Sequence, residues 1–242
     1  MSGAVVFDLD GTLVHSAPGL RFALDQLLAE EGRRPLALRE VIPMIGDGAA
    51  QLVHRAFAAT GAPAEAEELN ELVTRFHDHY EEVALRLTTP YPRVAETLQR
   101  LRDDGFSLSV CTNKLHRLAK LVLVGLDLAR HFDVVIGGGS VAACKPDPRP
   151  VLAALEGLGA ERGSAVMVGD GRNDVLTARR AGMAVVVVSY GYNGGVLPEH
   201  LGADASIDDF SELPKILPRF LLRSKVARSR SPDGVGTRLV AP

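Results

Sequence analysis

The constraint that narrows the fold most is a layout the chain uses three times, a short apolar run that ends in a polar, chemistry-bearing segment. Residues 4–7 lead into Asp8-Leu9-Asp10-Gly11-Thr12, residues 107–111 into Thr112-Asn113-Lys114, and residues 165–168 into Gly169-Asp170-Gly171-Arg172-Asn173-Asp174. The second and third then enter helical patterns, and strand and helix signals keep alternating over 93–188. Such alternation predicts an α/β protein with a parallel sheet and helices on both faces. Ligands of such sheets bind outside the carboxyl ends of the strands, where all three polar segments fall. Asp8, Asp10, Thr112, Asp170 and Asp174 are therefore expected to gather in one place.

Successive strand side chains point to opposite faces, so Asp8 and Asp10 converge only where the chain leaves strand geometry after Asp8. Gly11 permits that turn. Taken alone, the segment also reads as a strand followed by an ordinary acidic Asp-Gly turn. Between the second and third layouts lies Lys145-Pro146-Asp147-Pro148, a basic residue on a proline-fixed loop. Four carboxylates, a hydroxyl and a lysine suit a hard cation beside a phosphoryl group, because magnesium takes oxygen ligands and a lysine offsets phosphate charge.

Residues 16–87 read differently. Leu20, Ala23, Leu24, Leu27 and Leu28, and then Leu52, Val53, Ala56 and Phe57, recur at helical spacing with no strand signal between them. The pattern predicts an all-helical insertion after the first strand, broken at Gly61-Ala62-Pro63 and closed by the linker Thr88-Thr89-Pro90-Tyr91-Pro92. The expected division is a core over 1–15 and 88–222, a helical module over 16–87, and a basic tail over 223–242. That tail lacks apolar periodicity and reads as disordered. With 27 Lys plus Arg against 30 Asp plus Glu and no Trp, nothing in the balance favours a nucleic-acid partner. The first strand begins within a few residues of Met1 and no stretch matches a membrane span, which predicts a cytoplasmic protein. The two cysteines, Cys111 and Cys144, make neither a metal pattern nor a disulfide framework.

In their order along the chain, DxDGT, a Thr after the second strand, a Lys and GDxxxD resemble the four motifs of the haloacid dehalogenase superfamily of phosphotransferases. Each motif is weak alone; their order, each in its strand-end context, is specific. The resemblance covers about residues 4 to 222. The strings FDLDGTLVHSAPGL, IGDGAAQLVHRAF, TPYPRV, CTNK, KPDP, VGDGRND and YGYN bring it closer to bacterial phosphoglycolate phosphatases. It implies a Rossmann-like core carrying the helical insertion as a cap, and a magnesium-dependent phosphomonoester hydrolase acting on 2-phosphoglycolate. A sugar-phosphate phosphatase or a phosphomutase of the same superfamily is the alternative within enzymes, and a catalytically silent binding module is the reading from another class. The implied partner is a small phosphorylated metabolite, with no nucleic acid and no membrane, and the chain is expected as a monomer or homodimer.

The motif match implies roles as well. Asp8 would be the nucleophile that forms an aspartyl-phosphate, and Asp10 would protonate the leaving alkoxide and then deprotonate the attacking water. Thr112, Asn113 through its amide, and Lys145 would hold the phosphoryl group. Magnesium would bind Asp8, the Asp10 carbonyl and Asp170, with Asp174 supporting its water shell. The plain readings are a surface lysine before a proline turn for Lys145 and a first-turn helix acid for Asp174.

Substrate choice would fall to Ile45-Gly46-Asp47-Gly48-Ala49, whose glycines let the backbone approach a small substrate and whose helix amides suit a carboxylate. Gly46 and Asp47 are thus expected at the substrate. Two residues depart from the family pattern: Asp47, where relatives often carry Asn, brings negative charge towards a substrate carboxylate, and His15 stands where the family string has Asp. Gly-Asp-Gly also reads as a simple helix break. His77-Asp78-His79 reads as a solvated helix face, since residues two apart on a helix do not face each other. Gly137-Gly138-Gly139 reads as a loop before Lys145, with no Walker lysine.

Overall fold

A computed structural model describes residues 3–221, and the basic tail expected over 223–242 lies outside the described residues. Strand β1 (Ala4–Phe7) and the short β2 (Val14–His15) come first, followed by helices α1 (Ala17–Glu30), α2 (Leu38–Val41), α3 (Ala49–Thr60) and α4 (Leu69–Val83). After the short β3 (Thr89–Pro90) the chain runs through α5 (Val94–Asp103), β4 (Ser107–Leu115), α6 (His116–Gly125), β5 (Val134–Gly138) and α7 (Arg149–Gly157). It closes with β6 (Ala165–Gly169), α8 (Arg172–Ala181), β7 (Ala184–Val188), β8 (Ala205–Ile207) and α9 (Leu213–Ile216).

Six strands form one parallel sheet in the order β5-β4-β1-β6-β7-β8. A strand buried on both faces needs an unbroken apolar run, and all four residues of β1 are buried. Side-chain alternation splits that run between two layers. Val5 and Phe7 join Leu98, Leu101 and Phe210 on one face, and Val6 joins Val151, Ala154 and Val175 on the other. The register sets the site. Phe7 pairs with both Val110 and Val168, so Asp8, Cys111 and Gly169 form the next row and all three polar segments leave the sheet at one edge.

One strand differs from the sequence reading. β4 does not end before Thr112 but continues to Leu115 through a bulge, with Cys111 opposite Ile136 and Leu115 opposite Gly138. Four steps along β4 therefore face two along β5, and the surplus pushes residues 112–114 out of the pleat. The bulge needs a neighbour without side chains. A Cβ on Gly137 would lie 2.6 Å from the His116 Cα, and one on Gly138 would lie 3.0 Å from the Asn113 carbonyl oxygen. Gly137 and Gly138 thus belong to the end of β5 and leave room for the bulge, and only Gly139 lies in the turn that follows.

Helices α1, α3 and α4 pack through Leu24, Leu27, Val53, Phe57, Phe76 and Tyr80. Phe76 is buried at this junction, and its truncation to Ala would cost about 3–5 kcal/mol. The two chain crossings between this helical layer and the sheet lie side by side as an antiparallel pair, Val14 opposite Pro90 and His15 opposite Thr89. Among the described residues no helix is long and apolar enough to cross a membrane.

Candidate active site

The turn after β1 meets the condition for convergence of Asp8 and Asp10. The Leu9 carbonyl accepts the amides of Leu13 at 2.9 Å and Val14 at 3.1 Å, and the Gly11 amide donates to the Val14 carbonyl at 2.9 Å. Gly11 takes φ +89°, and a Cβ there would fall 2.3 Å from Asp170 Oδ2, so both backbone and space require glycine. Asp8 and Asp10 consequently border the same two cavities.

Asp8, Asp170 and Asp174 are all buried, and each brings a carboxylate oxygen within 4.8 Å of the others. Lys145 Nζ donates to Asp174 Oδ1 at 2.6 Å and stands 2.8 Å from Asp8 Oδ1. That Asp8 oxygen accepts no hydrogen bond of good geometry. Burial pushes the Asp8 carboxyl up to about 6, with Lys145 opposing the rise and Asp174 adding to it. Burial also holds Asp170 well above the usual carboxylate range, reinforced by the charges of Asp174 and Asp8. For Lys145, burial works against the charge, but Asp174 and Asp8 outweigh it and the ammonium stays protonated. An all-oxygen donor set in which burial and neighbouring negative charge raise Asp8 and Asp170 fits a hard divalent cation such as magnesium.

Supporting contacts fix these acids. Asp170 accepts from Thr12 Oγ1 at 2.9 Å and from the Tyr192 amide at 2.5 Å. Asp174 Oδ2 accepts the amides of Asp170 and Gly171, each at 3.1 Å, so this residue braces the first turn of α8 while its other oxygen holds Lys145. The Tyr192 hydroxyl accepts the amides of Ser16 and Ala17 at 2.9 Å, which leaves its own proton for His15 Nδ1, also at 2.9 Å. His15, the departure from the family string, is therefore built into the junction between sheet and helical layer. Neither Tyr192 nor Thr12 was singled out from the sequence, although both lie inside the strings quoted above.

The β4 bulge presents Thr112, Asn113 and Lys114 to the site. Thr112 Oγ1 accepts the Lys114 amide at 3.2 Å. Asn113 clamps the Lys145 loop, accepting the Lys145 amide at 2.8 Å and donating to the Lys145 carbonyl at 2.9 Å. Its Nδ2 also meets the Gly46 carbonyl at 2.9 Å. Lys114, which had no assigned role, donates to Asp10 Oδ1 at 3.0 Å and Oδ2 at 3.1 Å, with its ammonium 4.2 Å from the centroid of the Tyr80 ring. Burial disfavours this charge too, and Asp10 and Tyr80 more than restore it. A metal role for Asp10 would thus fall to its backbone carbonyl, the atom the resemblance implies, since its carboxylate is engaged by Lys114.

The first cavity extends from Asp8, Asp10 and Thr112 towards Leu52, Phe76 and Tyr80. The second extends from the same two aspartates towards Lys145, Asp170, Asp174 and Arg55. Asp47 borders the second cavity, and its charge is not bare. Asp47 Oδ1 accepts from Asn173 Nδ2 at 2.6 Å and its other oxygen pairs with Arg55. Burial raises the Asp47 carboxyl, but Asn173 and Arg55 outweigh that and hold it below its ordinary value. Gly46 offers its carbonyl to Asn113 and, at 3.2 Å, to Asn173. The solvated-face reading of His77 needs correction: it borders the first cavity, while His79 turns away to Glu30 at 2.8 Å.

A parallel sheet whose strand ends gather three buried acids and a lysine beneath a helical layer defines an α/β enzyme with an acidic strand-end centre. The chain belongs to the haloacid dehalogenase-like hydrolase family, whose model matches residues 3–182. It is similar to the phosphoglycolate phosphatase of Caulobacter vibrioides, 45% identical over 216 residues that cover 89% of this chain and 91% of that one. It is likewise 46% identical over 218 residues to the phosphoglycolate phosphatase of Rhodospirillum rubrum, covering 88% and 90%. A crystal structure described as a predicted phosphoglycolate phosphatase from Haemophilus somnus superposes with a TM-score of 0.84 at 31% identity, covering 89% of this chain and 97% of that one.

Proposed function

We propose that this hydrolase cleaves phosphomonoesters through Asp8 with the help of magnesium, and that 2-phosphoglycolate is its substrate. The observation that carries the reading is the Asp8 oxygen at the end of β1, buried, faced by Lys145 and without a hydrogen bond of good geometry. A carboxylate held that way keeps a lone pair for phosphorus. The identities of 45% and 46% to phosphoglycolate phosphatases support the substrate.

In this reading the helical layer over 16–87 is a cap over the core. Asp8 attacks phosphorus, the ester P–O bond breaks, and Asp10 gives its proton to the departing oxygen. Asp10 then takes a proton from the water that attacks the aspartyl-phosphate, which releases orthophosphate and restores Asp8. Lys145 offsets the charge that collects on Asp8 and the phosphoryl oxygens, and Thr112 with the Asn113 amide holds those oxygens. Asp8, Asp170 and the Asp10 carbonyl would hold magnesium, with Asp174 behind them; when bound, the ion draws charge off the phosphoryl group. A panel of phosphate esters assayed for phosphate release with magnesium tests the reading. Turnover of 2-phosphoglycolate above sugar phosphates is expected, and a sugar phosphate turned over faster by tenfold or more overturns the substrate.

A further inference from the structure

We infer that Lys114 is the specificity-determining cation of the first cavity, the group that binds the carboxylate of the substrate and selects phosphomonoesters with a carboxylate one carbon from the ester oxygen. The inference rests on the proposed phosphatase reading and assigns the chemistry of its leaving-group side.

Leu20, Leu52, Phe76, Tyr80 and Leu118 make the cavity beyond the aspartates largely apolar. A carboxylate entering such a space is costly unless a cation meets it. Among the residues bordering the cavity Lys114 is the one with a permanent positive charge, because His77 is held below its ordinary value by burial and by the charges of Arg117 and Lys114. The other cations near the site border the second cavity and not this one: Lys145 holds Asp8 and Asp174, Arg55 holds Asp47, and Arg172 is exposed at the start of α8.

Position points the same way. Asp10 protonates the ester oxygen, so the leaving group lies on the side of Asp10, and Lys114 grips both oxygens of that carboxylate. A carboxylate one carbon beyond the ester oxygen falls beside this ammonium. Lys114 has three N–H groups, the two Asp10 oxygens take at most two of them, and the Tyr80 ring lies against the charge at 4.2 Å. One donor is left for the substrate. The side chain itself is 5% exposed, so the charge is fixed in place before the substrate arrives.

The test compares 2-phosphoglycolate with 2-hydroxyethyl phosphate, which has similar reach and no carboxylate, on wild type, Lys114→Met and Lys114→Arg. Wild type should favour 2-phosphoglycolate by at least about tenfold in kcat/KM, the scale of one charge-assisted hydrogen bond. Lys114→Met should bring that ratio to within about threefold of unity, mainly by raising KM for 2-phosphoglycolate, and Lys114→Arg should keep part of it. An equal loss for both esters would mean that Lys114 only positions Asp10, and overturns the inference. A preference intact in Lys114→Met overturns it while leaving the phosphoglycolate reading in place, whereas a wild type without the preference removes both. Competition by phosphonoacetate against ethylphosphonate on wild type needs no variant: tighter inhibition by the carboxylate is expected, and equal inhibition constants overturn the anchor.

Discussion

Asn173, in the first turn of α8, donates through Nδ2 to Asp47 Oδ1 at 2.6 Å, so a residue beside the acid cluster holds the loop that leads into α3. Asn113 reaches the Gly46 carbonyl of the same loop from β4. The loop is fastened from both sides of the site, and the Asp47 charge is committed to that fastening and to Arg55. Asn173→Ala should therefore raise KM by about tenfold or more for every phosphate ester, as loss of one charge-assisted hydrogen bond predicts. Asp47→Asn should alter 2-phosphoglycolate and a neutral ester such as glycerol phosphate to the same extent. A gain confined to 2-phosphoglycolate would restore the idea that Asp47 repels a substrate carboxylate.

Gly11 and Gly32 share a positive φ, +89° and +64°, but only the first is crowded, with Asp170 where its Cβ would be. Gly32→Ala should cost about 1 kcal/mol of stability and leave kcat alone. Gly11→Ala adds a clash at Asp170, so a comparable or larger loss of about 1–3 kcal/mol should come with a drop in kcat of a hundredfold or more. Denaturant titration and steady-state kinetics on both variants make the comparison. Equal kinetic behaviour of the two would separate the Gly11 turn from the acid cluster.

The parallel sheet was legible because buried strands must be apolar runs, and because polar residues at their carboxyl ends have no packing reason to be there. Asp8, Asp10, Thr112, Asp170 and Asp174 could be grouped on that basis, and Lys145 only as a basic residue on the proline-fixed loop between two of those segments. Lys114 could not. Strand alternation says nothing about three successive residues once a bulge intervenes, and that bulge depends on Gly137 and Gly138 of a different strand. Tyr192 was hidden for a related reason, since its amide reaches Asp170 across 22 residues through packing that no local pattern records. In the sequence Asp47 stands as a bare charge, because its partners, Arg55 and Asn173, sit on two other elements.

His131 supplies a pH test remote from the acids. It is buried, and burial together with the Arg130 charge lowers its pKa below the ordinary 6.5. Below pH 6.5 the unfolded chain therefore binds a proton that the folded chain resists, so the stability present above that pH is lost as the pH falls towards the folded value. The difference in thermal midpoint between wild type and His131→Gln should shift against wild type between pH 7.5 and 5.5. A difference independent of pH would show that His131 titrates alike in both states.

Chelation addresses the acid cluster as a whole. With Asp8, Asp170 and Asp174 drawn together, EDTA should abolish turnover and magnesium should restore it. Magnesium should also raise the thermal midpoint of the chelated protein, because a ligand bound only by the folded state stabilises it. Full turnover after exhaustive chelation would remove the metal from the account.

The most direct measurement asks where the phosphoryl group goes. Wild type mixed with labelled 2-phosphoglycolate and magnesium, quenched within one turnover and digested, should yield one labelled peptide containing Asp8, with the label released by hydroxylamine as an acyl phosphate requires. Asp8→Asn should carry no label while keeping its fold. Label on another residue, or turnover by Asp8→Asn at the wild-type rate, would contradict the assignment of Asp8 as the nucleophile.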